Sequence, residues 1–243
     1  MAGKLPELPE DWSRALAIVA HPDDLEYGAA AAIARWTDQG KWIGYVLASS
    51  GEAGIDGMHP DDAGPLRESE ERAGAAHVGV TTVEFLGHRD GVIEAGLELR
   101  RDLARAIRRH RPDILVLMNY AERWGSDFGP LNMADHRAVG IAALDAARDA
   151  GNRWVFPELL AEGCEPWSGA QRAAVGAAPE STHAVDVTDT LDRGIASLAE
   201  HRAYLAGLGD EGTDPDAFLR GHAAAGGARL GVTYAVEFEL ISI

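Results

Sequence analysis

Short apolar runs alternate with longer stretches of helical periodicity through the first half of the chain. That alternation limits the possible folds more than any other feature. Residues 16–20 (LAIVA), 42–48, 83–86 and 114–118 (ILVLM) read as buried strands. Between and after them, residues 26–39, 65–78, 97–110 and 134–150 place apolar residues at helical spacing. Pro65 is expected to open its helix, Pro112 follows the end of the third, and Gly151 closes the fourth. ILVLM is apolar at every position, as suits a strand covered on both faces. Strict alternation of this kind predicts an α/β, Rossmann-like, doubly wound fold, with a mainly parallel sheet and helices on both faces. The second half is less periodic. Val185 and Val187 suggest a strand, residues 190–206 and 215–225 read as helices, and residues 233–243 alternate like a final strand. Residues 151–182 show only weak periodicity. With no repeat, low-complexity tract or linker, residues 1–243 read as one domain.

The formal net charge is −17 over 243 residues. Such a chain repels phosphate backbones and anionic bilayers, so neither nucleic acid nor a membrane is an expected partner. The opening MAGKLPELPEDWSR has no apolar core of a signal peptide, and no run approaches the ~18 apolar residues of a membrane span. A cytoplasmic location is expected. Cys164 has no second cysteine to pair with and reads as a small buried hydrophobe.

In sheets of this class, ligands bind beyond the carboxyl ends of the strands. AHPDDLEYG, residues 20–28, follows the first predicted strand directly. It crowds one imidazole and three carboxylates together, an arrangement that favours a neutralising cation. The chain turns after Pro22, and that turn can bring His21 and Asp24 to one side as a pair of zinc ligands. Asp23 would then stand beside the metal, where a base for an attacking water belongs. The same residues fit a capping box, with Asp23 as the N-cap and Glu26 reaching back. The segment alone leaves both readings open. His136 is the candidate third ligand. It lies in DHRAVG at residues 135–140, which opens a helix after the fourth strand, with Asp135 placed to support it. No GxGxxG or GxxxxGK[ST] follows a strand, which argues against a nucleotide-binding protein.

HPDDLEYG with DHRAVG resembles the LmbE-like (PIG-L) family of zinc-dependent N-deacetylases. GEAGIDG at residues 51–57, RESEE at 67–71, FLGHRDG at 85–91, RPDILVL at 111–117, DVTDTLDR from 186 and AEHRAYL from 199 extend the resemblance over nearly the whole chain. It implies a hydrolase that removes an acetyl or other acyl group from an N-acylated amino sugar conjugate. It implies a Zn2+ ion held by His21, Asp24 and His136, with Asp23 as base; His/carboxylate sites also accept Fe2+, so iron(II) is the alternative in the cell. It also implies that Arg67 and Asp90 contact the sugar. The family's second motif often reads HxDH, with a first His that helps stabilise the oxyanion. Met133 stands there instead, and a thioether cannot donate a hydrogen bond. Either His59 or His222 replaces it or the zinc does most of that work, and Trp124 is the candidate aromatic wall. The alternatives are an amidase acting on a thiol conjugate of a glucosaminyl-inositol and a non-catalytic sugar-binding homologue. A homo-oligomer is left open.

Overall fold

The computed structural model describes residues 3–125, 129–209 and 214–243. In chain order its elements are β1 (Arg14–Val19), α1 (Asp24–Gly28), α2 (Ala30–Asp38), β2 (Trp42–Leu47), α3 (Pro60–His77), β3 (Thr82–Phe85), α4 (Leu97–His110), β4 (Ile114–Met118) and α5 (Ala134–Gly151). They continue with α6 (Glu158–Ala161), β5 (Arg172–Gly176), β6 (His183–Asp186), α7 (Leu191–Ala199), α8 (Arg202–Gly207), α9 (Pro215–Leu230) and β7 (Ala235–Ser242).

The strands form one sheet in the order β3-β2-β1-β4-β5-β7-β6. The first five are parallel, and β7 runs antiparallel to both its neighbours. The expected mainly parallel α/β architecture is therefore present, with a mixed edge. Side-chain alternation along β1 divides the core. Ala15, Ala17 and Val19 point to the layer holding α2, while Leu16, Ile18 and Ala20 point to the layer holding α4 and α5. Helices cover both faces, so the strands are apolar on both sides. The connection from β1 leads to β2 on one side, and β4 pairs on the other. This is a topological switch point, the place where such sheets bind ligands.

Four expectations need correction. The helix expected over residues 26–39 is two helices, broken at Ala29 (φ −146°). The break lets α1 point its acidic residues inward while α2 lies along the sheet. The helix expected from Pro65 starts at Pro60. His59 caps it by accepting the Asp61 N–H at 3.3 Å, Asp61 and Asp62 favour the positive helix end, and Pro65 is absorbed inside. The helix expected over 190–206 is α7 and α8, parted around His201, whose ring turns into the interior. Finally, α9 continues past residue 225 to Leu230, where Gly231 at φ 95° ends it. The strand β5, sequence RAAVG, and the single turn α6 gave no periodic signal. Among the described residues, no helix is long and apolar enough to cross a membrane.

Candidate metal centre and active site

The parallel strands deliver their following loops to one edge of the sheet. His21 and Asp24 come from the loop after β1, Asp90 from the loop after β3, and Asp135 and His136 from the start of α5. Asp24 Oδ2 accepts the N–H groups of Ala20 and His21, each at 3.0 Å, and so fixes the turn. His136 Nε2 lies 2.9 Å from Asp24 Oδ1 and 3.3 Å from His21 Nδ1. All three expected ligands are buried and offer donor atoms within 4.8 Å of one another.

Their outer contacts decide where the imidazole protons sit. Asn132 donates its amide to the carbonyls of Asn119 (2.8 Å) and Ala121 (3.0 Å), which turns its Oδ1 toward His136 Nδ1 at 3.0 Å. An acceptor there keeps the proton on Nδ1 and leaves a lone pair on Nε2. His21 Nε2 faces Asp90 Oδ1 at 3.0 Å and Asp135 Oδ2 at 3.2 Å, so its proton belongs on Nε2. Asp135 is itself held by the N–H groups of Gly91 and Ile93. The inner nitrogens and the Asp24 carboxylate thus aim electron pairs at one point. Such a donor set fits a divalent cation. The electrostatics agree. Burial works against a charged His21, yet Asp135, Asp24 and Asp90 hold its pKa well above the ordinary value. Burial also opposes ionisation of Asp24, but His136 and His21 hold it well below the usual carboxylate range. The negative charge that holds a proton on His21 also favours a cation at this place.

Asp23 does not act as a helix cap. It makes no side-chain cap bond, and its φ of 91° is left-handed, unusual for a residue with a Cβ. Two side chains one turn apart on α3 hold the peptide that precedes it. Arg67 Nη2 donates to Pro22 O at 2.6 Å, and Glu71 Oε2 accepts the Asp23 N–H at 3.1 Å. Arg67 Nη1 also donates to Gly51 O at 2.9 Å, and the guanidinium stacks on Tyr204. A Cβ at Gly51 or Gly54 would press on the Arg67 guanidinium and displace it, and Gly51 also holds a left-handed φ of 63°. Burial pushes the Asp23 pKa up to about 7, against the pull of Arg67.

A second buried cluster, unforeseen in the sequence, underlies Asp23. Glu26, Glu71 and His201 bring ligand-type atoms within 4.8 Å. Ser197 donates to Glu26 at 2.9 Å, and His201 Nε2 stands 3.7 Å from both carboxyls. Burial raises Glu26 to about 7 and Glu71 well above its usual value. Burial and then Arg67 lower His201 to about 3. The cluster therefore tends toward neutrality. Only folding could reveal it, because its members are far apart in sequence.

A cavity of about 820 Å3 opens over these residues and includes Arg67 and Asp90 in its wall. Asp90 has one oxygen on His21 and the other on the N–H of Ala53 at 2.8 Å. Trp124 meets His136 edge to face at 5.5 Å and lines the same space. Met133 stands on the wall, 54% exposed. His222 also lines the cavity, whereas His59 does not and instead caps α3.

The family model for PIG-L, GlcNAc-PI de-N-acetylase, matches residues 16–147. The chain belongs to the PIG-L family. That span contains all three metal-type ligands and Asp23. Among PIG-L relatives, diacetylchitobiose deacetylase of Thermococcus kodakarensis is 27% identical over 204 residues, covering 83% of this chain and 74% of the relative. The 1D-myo-inositol 2-acetamido-2-deoxy-alpha-D-glucopyranoside deacetylase of Kribbella flavida is 30% identical over 192 residues, covering 63% of this chain and 62% of the relative. The structure of N,N'-diacetylchitobiose deacetylase from Pyrococcus horikoshii superposes with a TM-score of 0.84 at 24% identity, over 96% of this chain and 85% of that one. This last match speaks for the shared fold.

Proposed function

We propose that this chain is a metal-dependent hydrolase that removes the acetyl group from an N-acetylated amino sugar or its conjugate. The observation that carries this reading is the convergence of His21 Nδ1, His136 Nε2 and the Asp24 carboxylate, with Asp23 beside them in one cavity. Two imidazoles and a carboxylate suit zinc, and iron(II) as well. A divalent cation held there supplies Lewis-acid activation of a water and of the amide carbonyl. Asp23 takes the proton of the attacking water and passes it to the leaving amine. Arg67 and Glu71 hold Asp23 in place, so it needs no rearrangement during the reaction. Asp90 and Asp135 orient His21, and Asn132 orients His136. Asp90 and Arg67 stand in the cavity wall and remain our candidates for sugar contacts. Met133 offers no donor to a developing oxyanion. His222 lines the cavity, but its Nδ1 already donates to the carbonyl of Phe218, which leaves that role to the bound cation.

The two curated relatives support the substrate class, since both names describe deacetylases of N-acetylated sugars. The cavity draws on the metal donors and on α9 alike, which favours one domain working as a unit. Metal-loaded protein is expected to release acetate from a panel of N-acetylglucosamine conjugates, to stop on chelation and to recover with added zinc. Loaded protein that releases acetate from no member of the panel would overturn this reading.

A further inference from the structure

The backbone of Asp23 and its carboxyl are held by different groups. Arg67 and Glu71 fix the backbone, through Pro22 O at 2.6 Å and the Asp23 N–H at 3.1 Å. Neither secures the carboxyl. Arg67 Nη2 stands 3.5 Å from Asp23 Oδ2, beyond the roughly 2.7–2.9 Å of a strong ionic hydrogen bond. Among the described residues, Oδ2 has no hydrogen-bond partner. A base works only within hydrogen-bond reach of the proton it takes, so a carboxyl free to turn would be a poor one.

The side chain that meets this carboxyl is Tyr204. It lies on α8 and lines the same cavity as Asp23. The Arg67 guanidinium stacks on its ring, 4.4 Å from the centre, and this contact favours one placement of the ring. The hydroxyl donates to the Asp23 carboxyl. Burial, and then the charge of Asp23, push the phenol pKa well above its ordinary value, so the hydroxyl keeps its proton.

One face of α3 sets up both partners. Arg67, Glu70 and Glu71 stand at helical spacing on it. Arg67 carries the Tyr204 ring, and Glu71 takes the Asp23 N–H. Glu70 Oε1 accepts the Ala203 N–H at 2.6 Å, which ties α8 to α3 right beside Tyr204.

We infer that Tyr204 is a positioning residue for the base: its hydroxyl holds the Asp23 carboxyl toward the attacking water, and Arg67 holds the ring that carries the hydroxyl. This deepens the proposed function and rests on it. It adds a residue outside the 16–147 span that the family model matches. Tyr204 gives up no proton. Asp23 alone takes the proton of the water and passes it to the amine.

The test is a double-mutant cycle on the full, metal-loaded protein. Tyr204→Phe is made in the wild type and in Asp23→Asn, and acetate release from N-acetylglucosamine conjugates is read with metal content and urea midpoint. Phe keeps a ring on Arg67 and removes only the hydroxyl. In the wild type, Tyr204→Phe should lower kcat about ten- to hundredfold, with KM within about twofold. Metal content should not change, and the urea midpoint should change little. In Asp23→Asn the same substitution should cost less than about twofold, because the base that it positions is gone. Wild-type kcat in Tyr204→Phe, a loss confined to KM, or an equal loss in both backgrounds would overturn this inference and leave the deacetylase reading intact. Loaded wild type that releases no acetate from any conjugate would overturn both.

Discussion

Asp23 is held by its backbone as much as by its charge. A left-handed φ at a residue with a Cβ is unfavourable and persists only where the surroundings enforce it. Here Arg67 and Glu71 grip the two ends of the Pro22–Asp23 peptide. Two predictions follow at this scale. Asp23→Asn keeps the fold and the metal donors but cannot accept the proton, so kcat should fall about a hundredfold or more with metal content unchanged. Elemental analysis and steady-state kinetics on one preparation check this, and retained turnover would remove Asp23 from the role of base. Glu71→Gln still presents an oxygen to the Asp23 N–H, whereas Glu71→Leu leaves that buried donor unpaired, a loss of about 1–3 kcal/mol. The Leu variant should lose at least about tenfold in kcat with KM little changed, and the Gln variant should stay close to wild type. Equal loss in both would mean that the charge of Glu71, not its hydrogen bond, matters. At this scale, HPDD and DHR were legible in the sequence because each follows a recognisable strand or opens a helix. The partners that set the imidazole protons were less so. Asn132 gave no signal. The capping-box alternative failed because Asp23 directs its N–H to α3 and Glu26 turns inward to Ser197.

Among the elements, α3, α4 and α5 do the positioning. α3 supplies the clamp under Asp23. α5 begins at the site with Asp135 and His136, and its far end is tied to α4 through Arg108. That guanidinium is buried and donates to the carbonyls of Asp149, Ala150, Asn152, Val155 and Phe156 at 2.8–3.4 Å. The carbonyls at the end of a helix lack partners within it, and Arg108 satisfies them. Arg108→Leu should therefore destabilise the fold by about 3 kcal/mol or more, read as a lower urea midpoint with unchanged slope. A loss under about 1 kcal/mol would show that water replaces the arginine without penalty. Element boundaries were harder to read than element types. The alanine-rich stretch around Ala29 has helical periodicity on both sides of the break, so the pattern could not reveal it. The split at His201 was hidden in the same way. β5, RAAVG, is built of small residues and carries little hydrophobic contrast, although it sits fully inside the sheet.

For the whole molecule, the sheet order explains why the site lies where it does. The β1–β4 switch point opens a crevice at the carboxyl edge, and the loops after β1, β3 and β4 all reach it. The parallel half of this arrangement was readable from the βαβ alternation. The antiparallel return of β7 beside β5 was not, because residues 151–182 show only weak periodicity and the pairing spans the second half of the chain. The central claim is that His21, Asp24 and His136 hold a catalytic metal ion. Its most direct test is the metal content of wild type and His136→Ala, each reconstituted with zinc, alongside acetate release in the same samples. One equivalent in the wild type, lost in the variant together with turnover, is the expected result. Wild type that binds no metal after reconstitution, or a variant that keeps both metal and turnover, would contradict it.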